Sequence, residues 1–202
     1  MRLAFVLLSA VLLSGCLLKT ATVPARHFVL APISADQSSP TPKEHFQVEI
    51  GFVKMPAYLL RDSMAVRNGA NEIEYLENAL WAERLDQSFQ RALMADLYGS
   101  LPETIHFADS ERNRQTVKIF INVHRFDVDT KGRGTLVAQW RIAASDGAGS
   151  LTSGYTSLDR TGVSPRGNPA GIARTMSELT AEFSHELTRS LSGSARTTAV
   201  SP

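Results

Sequence analysis

Residues 117–144 read VKIFINVHRFDVDTKGRGTLVAQWRIAA. Val117, Ile119, Ile121 and Val123 recur at every second position, the period of a strand with one buried face. Phe126 and Val128 continue the alternation in the opposite phase, so one extra residue is expected near His124-Arg125, a β-bulge. Lys131-Gly132-Arg133-Gly134 reads as a turn, and Leu136, Ala138, Trp140, Ile142 and Ala144 resume the alternation. Two long period-two segments joined by a glycine turn predict an antiparallel pair with one face on a core.

Toward the C-terminus, Asp146-Gly147 marks a further turn into a weaker strand around Leu151 to Leu158. A Gly/Pro loop spans Gly162 to Gly171, inside which Asn168-Pro169 reads as an N-cap and a first helical residue. Ile172, Met176, Leu179, Phe183, Leu187 and Leu191 then form one helical stripe. Toward the N-terminus, Leu85, Phe89, Ala92, Leu93 and Leu97 make a second stripe, with Gly99 expected as a left-handed stop and Pro102 beyond it. Asn68-Gly69-Ala70-Asn71 lies between Met64–Arg67 and Glu72–Tyr75, a hairpin signal, because Asn and Gly tolerate positive φ. Phe46, Val48, Ile50 and Phe52 alternate as another strand, Ser34 to Pro42 is a Ser/Pro loop, and His27 to Pro32 is a short apolar stretch. The expected fold class is therefore α+β: a mainly antiparallel or mixed sheet with two amphipathic helices packed on one face.

The chain has 202 residues, 43% hydrophobic and 20% charged, which suits one folded domain rather than a disordered segment. Its 21 Lys+Arg against 20 Asp+Glu leave a formal charge of +1, without the basic excess of a nucleic-acid binder. A single cysteine excludes an intramolecular disulfide. That cysteine closes an N-terminal pattern. Arg2 precedes an apolar run from Leu3 to Leu13, which ends in Leu13-Ser14-Gly15-Cys16. The run falls short of the ~20 apolar residues a membrane span needs and reads as a secretory signal. The four residues resemble the bacterial lipobox, whose cysteine thiol is lipidated and becomes the first residue of the mature chain. Cys16 is thus the expected lipidation site.

On this reading residues 1–15 are a lipoprotein signal peptide, 16–26 a lipidated tether, 27–191 a single domain and 192–202 a disordered tail. Losing 15 of 202 residues leaves 187 and takes away Arg2, so the mature formal charge is zero. Residue 17 is Leu rather than the Asp that holds lipoproteins at an inner membrane, which directs the chain to the periplasmic face of an outer membrane.

Patterns for chemistry are sparse. His27, His45, His106, His124 and His185 lie apart without the spacing of a metal site. No Gly-x-Ser-x-Gly elbow occurs, and Glu178, Glu182 and Glu186 form a row on one helix rather than two facing carboxylates. Asp127 and Asp129 share a strand face beside a turn and are expected to be exposed. No metal, no cofactor and no catalytic set is expected.

One segment is more specific. Met55-Pro56-Ala57-Tyr58-Leu59-Leu60-Arg61, then Val66-Arg67, Asn71 through Leu76, and Trp81-Ala82-Glu83-Arg84-Leu85 resemble the PqiC-type family of ABC transport auxiliary lipoproteins. His27-Phe28-Val29-Leu30 sits where that family has a strand near its lipidated end. Leu60 stands where an acid is common, and Asp62 and Arg84 where proline is common.

The resemblance implies a non-enzymatic outer-membrane lipoprotein of an MCE-type (mammalian-cell-entry) lipid transport system. It would dock a periplasm-spanning tunnel subunit, and through it the inner-membrane transporter, to the outer membrane, and would self-associate as a homo-oligomer. Tyr58, Arg61, Arg67 and Trp81 are the candidate partner interface, being side-chain types enriched at interface hot spots. A structural reading stands beside this one: Pro56 and Tyr58 turn a corner, and Trp81 fills space beneath the first helix. Two other functions remain open: an envelope hydrolase, which needs a catalytic cleft, or a lipid-binding lipoprotein, which needs an apolar cavity of several hundred Å³.

Overall fold

The computed structural model describes residues 23–33, 46–100, 115–144, 150–162, 164–165 and 168–198. Cys16, the signal segment and most of the tether lie outside the described residues.

The long hairpin expected from residues 117–144 is the spine of the sheet. Strand β5 (Gln115–Asp129) pairs antiparallel with β6 (Arg133–Ala144), from Val117↔Ala144 to Val128↔Gly134. The register shifts between Val123 and Arg125, so the bulge falls where the apolar phase reverses. Asp129 closes the turn by accepting the N–H groups of Lys131 and Arg133, each at 2.9 Å, with Gly132 at φ 88°. Strand β7 (Ser150–Thr161) adds antiparallel to β6.

On the other side, β5 serves two neighbours along one edge. Strand β2 (Phe46–Lys54) runs parallel to its first half, and β3 (Ser63–Asn68) meets its last residues through Val66↔Val128 and Arg67↔Asp129. Strand β3 forms the expected hairpin with β4 (Glu72–Trp81), with Gly69 at φ 75° in the turn. The three-residue β1 (Arg26–Phe28) pairs parallel with the end of β4. The result is a mixed seven-stranded open sheet in the order β1-β4-β3-β5-β6-β7, with β2 on β5.

Helices α1 (Leu85–Ser100) and α2 (Pro169–Thr198) pack on one face, as the two stripes require. Phe89 of α1 joins both layers: its ring lies 5.2 Å from that of Phe126 on the sheet and 6.2 Å from that of Phe183 on α2. At Gly134 a Cβ would stand 2.6 Å from Thr175 Cγ2, so only glycine lets α2 lie this close to β6. The indole N–H of Trp140 donates to Thr156 at 2.9 Å, and that hydroxyl donates to Glu186 of α2 at 2.8 Å.

Three details depart from the sequence reading. Gly99 does not end α1 in a left-handed turn; the helix continues through it, and the Ser100 hydroxyl returns to the Asp96 carbonyl at 2.9 Å. Helix α2 runs past Ser192, where a tail was expected, to Thr198. Its buried surface is also wider than one apolar stripe and includes Thr175, Ser177, Thr180, Ser184 and Thr188. Short hydroxyls can be buried there because a helix offers its own carbonyls. Ser177 donates to Ala173 at 2.8 Å and Thr180 to Met176 at 2.9 Å.

After β1 the chain becomes a strap across both helices. Leu30 is fully buried, and its N–H donates to Ser88 at 3.0 Å. The Ala31 N–H donates to Ser177 at 3.0 Å, and the Ile33 N–H to Asp96 Oδ1 at 2.7 Å. Arg91 donates to the Leu30 carbonyl at 2.9 Å. Asp96 is 2% exposed, and its second carboxylate oxygen has no partner among the described residues. Burial pushes its carboxyl up to about 6, against the opposing pull of the Ile33 N–H.

A carboxyl whose folded pKa is raised gives its full stability below the unfolded value, near 3.8, and loses it as pH climbs through 6. From pH 4 to 7.5 this loss amounts to about 2 kcal/mol. An Asp96→Asn variant has no such loss, so its melting temperature relative to the native chain shifts upward by about 5 °C over that interval. Parallel pH profiles of thermal unfolding would refute the assignment.

Candidate functional site

Pro56 sets an extended entry into a single 3-10 turn, Ala57–Leu59, closed by Leu59 N–H to the Pro56 carbonyl at 3.0 Å. This corner between β2 and β3 places Tyr58 on the sheet face opposite the helices, beside Arg67 of β3. There it meets Asp127, which the sequence reading placed at the surface. Asp127 is instead fully buried, because the corner and the β3 edge close over it.

Every acceptor direction of that carboxylate is engaged. Arg67 donates from Nε to both oxygens at 3.0 Å and from Nη2 to Oδ2 at 2.6 Å. Arg125, two residues away on β5, donates from Nε to Oδ1 at 2.9 Å, and the Tyr58 hydroxyl donates to Oδ2 at 2.8 Å. Arg67 also reaches the Ala70 carbonyl in the hairpin turn at 3.2 Å, while the Tyr75 hydroxyl donates to the Tyr58 carbonyl at 3.2 Å. One carboxylate thus bolts the corner, the β3–β4 hairpin and β5 together where the backbone ladder between β3 and β5 supplies only two residue pairs.

The electrostatics follow. Burial raises the Asp127 carboxyl, but hydrogen bonds from Arg67, Tyr58 and Arg125 outweigh it and hold the group below the usual carboxylate range. Burial and the neighbouring carboxylate push the Tyr58 hydroxyl up to about 12. The hydrogen bond to Asp127 raises Arg67 further. At neutral pH the cluster is one carboxylate, one neutral phenol and two guanidinium groups. No lone pair of Asp127 is left for a substrate, so the arrangement braces the fold rather than moving a proton.

Of the candidate interface residues, the structure joins Tyr58 and Arg67 directly. Arg61 is exposed and stands 4.8 Å over the ring of Tyr75, which ties it to the same corner. Trp81 lies apart, 7% exposed in the core, opposite Phe28 across the β1–β4 pair. Arg125 and Tyr75 were not picked out as site residues in the sequence, and Asp127 was read there as a surface acid. The Arg-x-Asp spacing of 125 and 127 puts both on one strand face, and it was the available signal.

A cleft of about 690 Å³ lies at the sheet end, walled by Val23, Pro24, Leu76 and Pro169 and rimmed by Arg26 and Glu74. It sits at the sheet's end, separate from the layer where Phe89, Phe126 and Phe183 fill the space between helices and sheet. Among the described residues no three His, Cys, Asp or Glu side chains gather to hold a metal, and no helix is long and apolar enough to cross a membrane.

These features define a class: a single open α+β scaffold, braced by side-chain bonds at its corner and strapped at its N-terminus. Within it the chain belongs to the family of ABC-type transport auxiliary lipoprotein components, whose model matches residues 28–188. A protein of Xanthomonas campestris from the DUF330 family shares the fold, with a TM-score of 0.65 at 17% identity over 88% of this chain and 98% of that one. The crystal structure of an uncharacterised protein is similarly close, with a TM-score of 0.63 at 16% identity over 84% and 99% of the two chains. No curated protein matches the chain in sequence.

Proposed function

We propose that this protein is a non-enzymatic lipoprotein, anchored through Cys16 in the outer membrane and facing the periplasm. There it docks the tunnel subunit of an MCE-type lipid transport system. In that role it holds the far end of a periplasm-spanning assembly against the outer membrane and works as a homo-oligomeric collar around it. The membership of residues 28–188 in the transport auxiliary family carries this reading. The engaged acceptors of Asp127 support a scaffold rather than a catalyst. The strap supports it as well, because it fastens the chain leading from the tether to both helices.

Affinity capture of the tagged full-length protein from detergent-solubilised envelopes is expected to recover an MCE subunit, together with the permease and ATPase. Recovery of the protein with no MCE subunit, in a detergent that keeps the transporter intact, overturns the reading.

A further inference from the structure

Beyond the β2–β3 corner that closes over Asp127, no described element covers the sheet face opposite the helices, and its side chains fall into cross-strand rows. Phe52, Phe120, Arg141 and Ser153 are register partners across β2, β5, β6 and β7. The next row is Lys54, Asn122, Gln139 and Tyr155. Phe52 is 55% and Tyr155 67% exposed, high values for aromatic rings on a strand. The Phe52 and Phe120 rings pack 5.4 Å apart, and the Arg141 guanidinium lies 4.5 Å over Phe120. Between the rows runs a groove of about 290 Å³, with Asn122, Gln139 and Ser153 along it.

The charge of this face is one-sided. Lys54, Arg61 and Arg141 make no ion pair among the described residues, and Arg125 shares its single carboxylate with Arg67. Of the acids on this side, Asp127 is buried and Glu49 pairs with Lys118, while Asp159, bonded only by the neutral Thr135 hydroxyl, keeps its charge two same-face positions beyond Tyr155 on β7, away from the groove. A chain of near-zero net charge therefore concentrates unbalanced cations on the face that also exposes its aromatic rings.

We propose that this face, centred on the groove between Phe52 and Arg141, docks an acidic polypeptide segment of the transport partner. This rests on the function proposed above and names where and how the partner is held. Arg141, held over the Phe120 ring, presents N–H groups to a carboxylate, and Lys54 flanks it in the next row. The groove takes an apolar side chain between the rings, and Asn122 and Gln139 meet the segment's backbone amides. Aromatic and arginine anchors around a small pocket are the composition of a protein–protein hot spot. A bilayer surface fits less well, because it needs a continuous apolar surface, whereas polar Asn122, Gln139 and Ser153 lie along the recess between Phe52 and Tyr155.

The test places a photo-crosslinking amino acid at Gln139 or Ser153 of the full-length protein in cells, with exposed Gln87 on α1 as the control. The expected result is an adduct from 139 and 153, absent from 87, that maps to an acidic segment of a transporter subunit. In parallel, Lys54→Glu with Arg141→Glu is expected to lower transporter recovery at least tenfold while leaving thermal unfolding unchanged. Native recovery falls as salt rises. If capture still recovers the transporter but 139 and 153 crosslink only to lipid, to a second copy or to nothing, the surface assignment is overturned and the function stands. If the charge-reversed chain, folded as judged by its melt, recovers the transporter at native level, the assignment is likewise overturned. If capture recovers no transporter subunit at all, the function fails and the docking assignment with it.

Discussion

Replacing Asp127 with alanine is expected to destabilise the domain by about 3 kcal/mol, lowering its melting temperature by about 6 to 12 °C. The loss comes less from the missing bonds than from what they leave behind. Arg67, with 17% of its side chain exposed, keeps its charge in a site shaped for a carboxylate, and Arg125 at 31% faces it across the gap. Two like charges then share a poorly solvated corner, and the Tyr58 hydroxyl loses its acceptor. Partial access of both guanidinium groups to water keeps the effect at the lower end of what a fully buried pair would show.

The pH dependence distinguishes this account from simple loss of packing. The folded Asp127 carboxyl is held below its ordinary range, so its contribution is present at neutral pH and is lost as pH falls through that depressed value. The deficit of Asp127→Ala relative to the native chain should therefore shrink on acidification, whereas a packing defect would persist. Tyr58→Phe, which deletes one donor and keeps the ring, should lose only about 1 kcal/mol. A denaturation midpoint for Asp127→Ala within 1 kcal/mol of native would refute the brace.

Why this brace was hidden in the sequence is a question of range. The strand alternation of 117–144, the bulge at His124-Arg125, the Asn68-Gly69 turn and the Asn168-Pro169 helix start each depend on neighbours a few residues apart. All of these were readable. Asp127 was read as exposed because its burial depends on Arg67 and Tyr58, brought in by parallel pairing of β3 against β5. Parallel partners are joined by long connections, so no local pattern announces them. The same holds for the hydroxyl-rich side of α2: Ser177 lies off the apolar stripe, and its burial goes with the strap that crosses it at Ala31. Tyr58 and Arg67 were picked out as interface types, and the Tyr58 hydroxyl and the Arg67 guanidinium both bond the buried Asp127 carboxylate. The unbalanced cations instead lie on the open part of the same face, at Lys54 and Arg141. Trp81 was picked out for the same reason and lies in the core.

On the anchoring proposed above, replacing Cys16 with alanine should remove the protein from the outer membrane while leaving its fold intact. The two effects separate because of where the strap begins. Leu30, Ala31 and Ile33 are fastened to α1 and α2 by backbone bonds that make no use of the anchor, so the melting temperature should match that of the native chain. The thiol, by contrast, is the group that takes the lipid, through a thioether bond. One acyl chain gives marginal, reversible attachment and two or more give stable anchoring, at ~0.8 kcal/mol per buried methylene. Loss of the thiol therefore changes membrane residence nearly completely rather than by degrees. Between Cys16 and Val23 the chain can span about 25 Å at most, which keeps the domain, and its cationic face, within reach of whatever approaches the bilayer. Metabolic labelling with an alkyne fatty acid should mark the native protein and not Cys16→Ala, and the variant's share of outer-membrane fractions should fall at least tenfold. Label retained by the variant would assign the anchor elsewhere. In detergent extracts, where anchoring no longer matters, Cys16→Ala should still capture the transporter, since docking resides in the sheet face and the anchor supplies only its place.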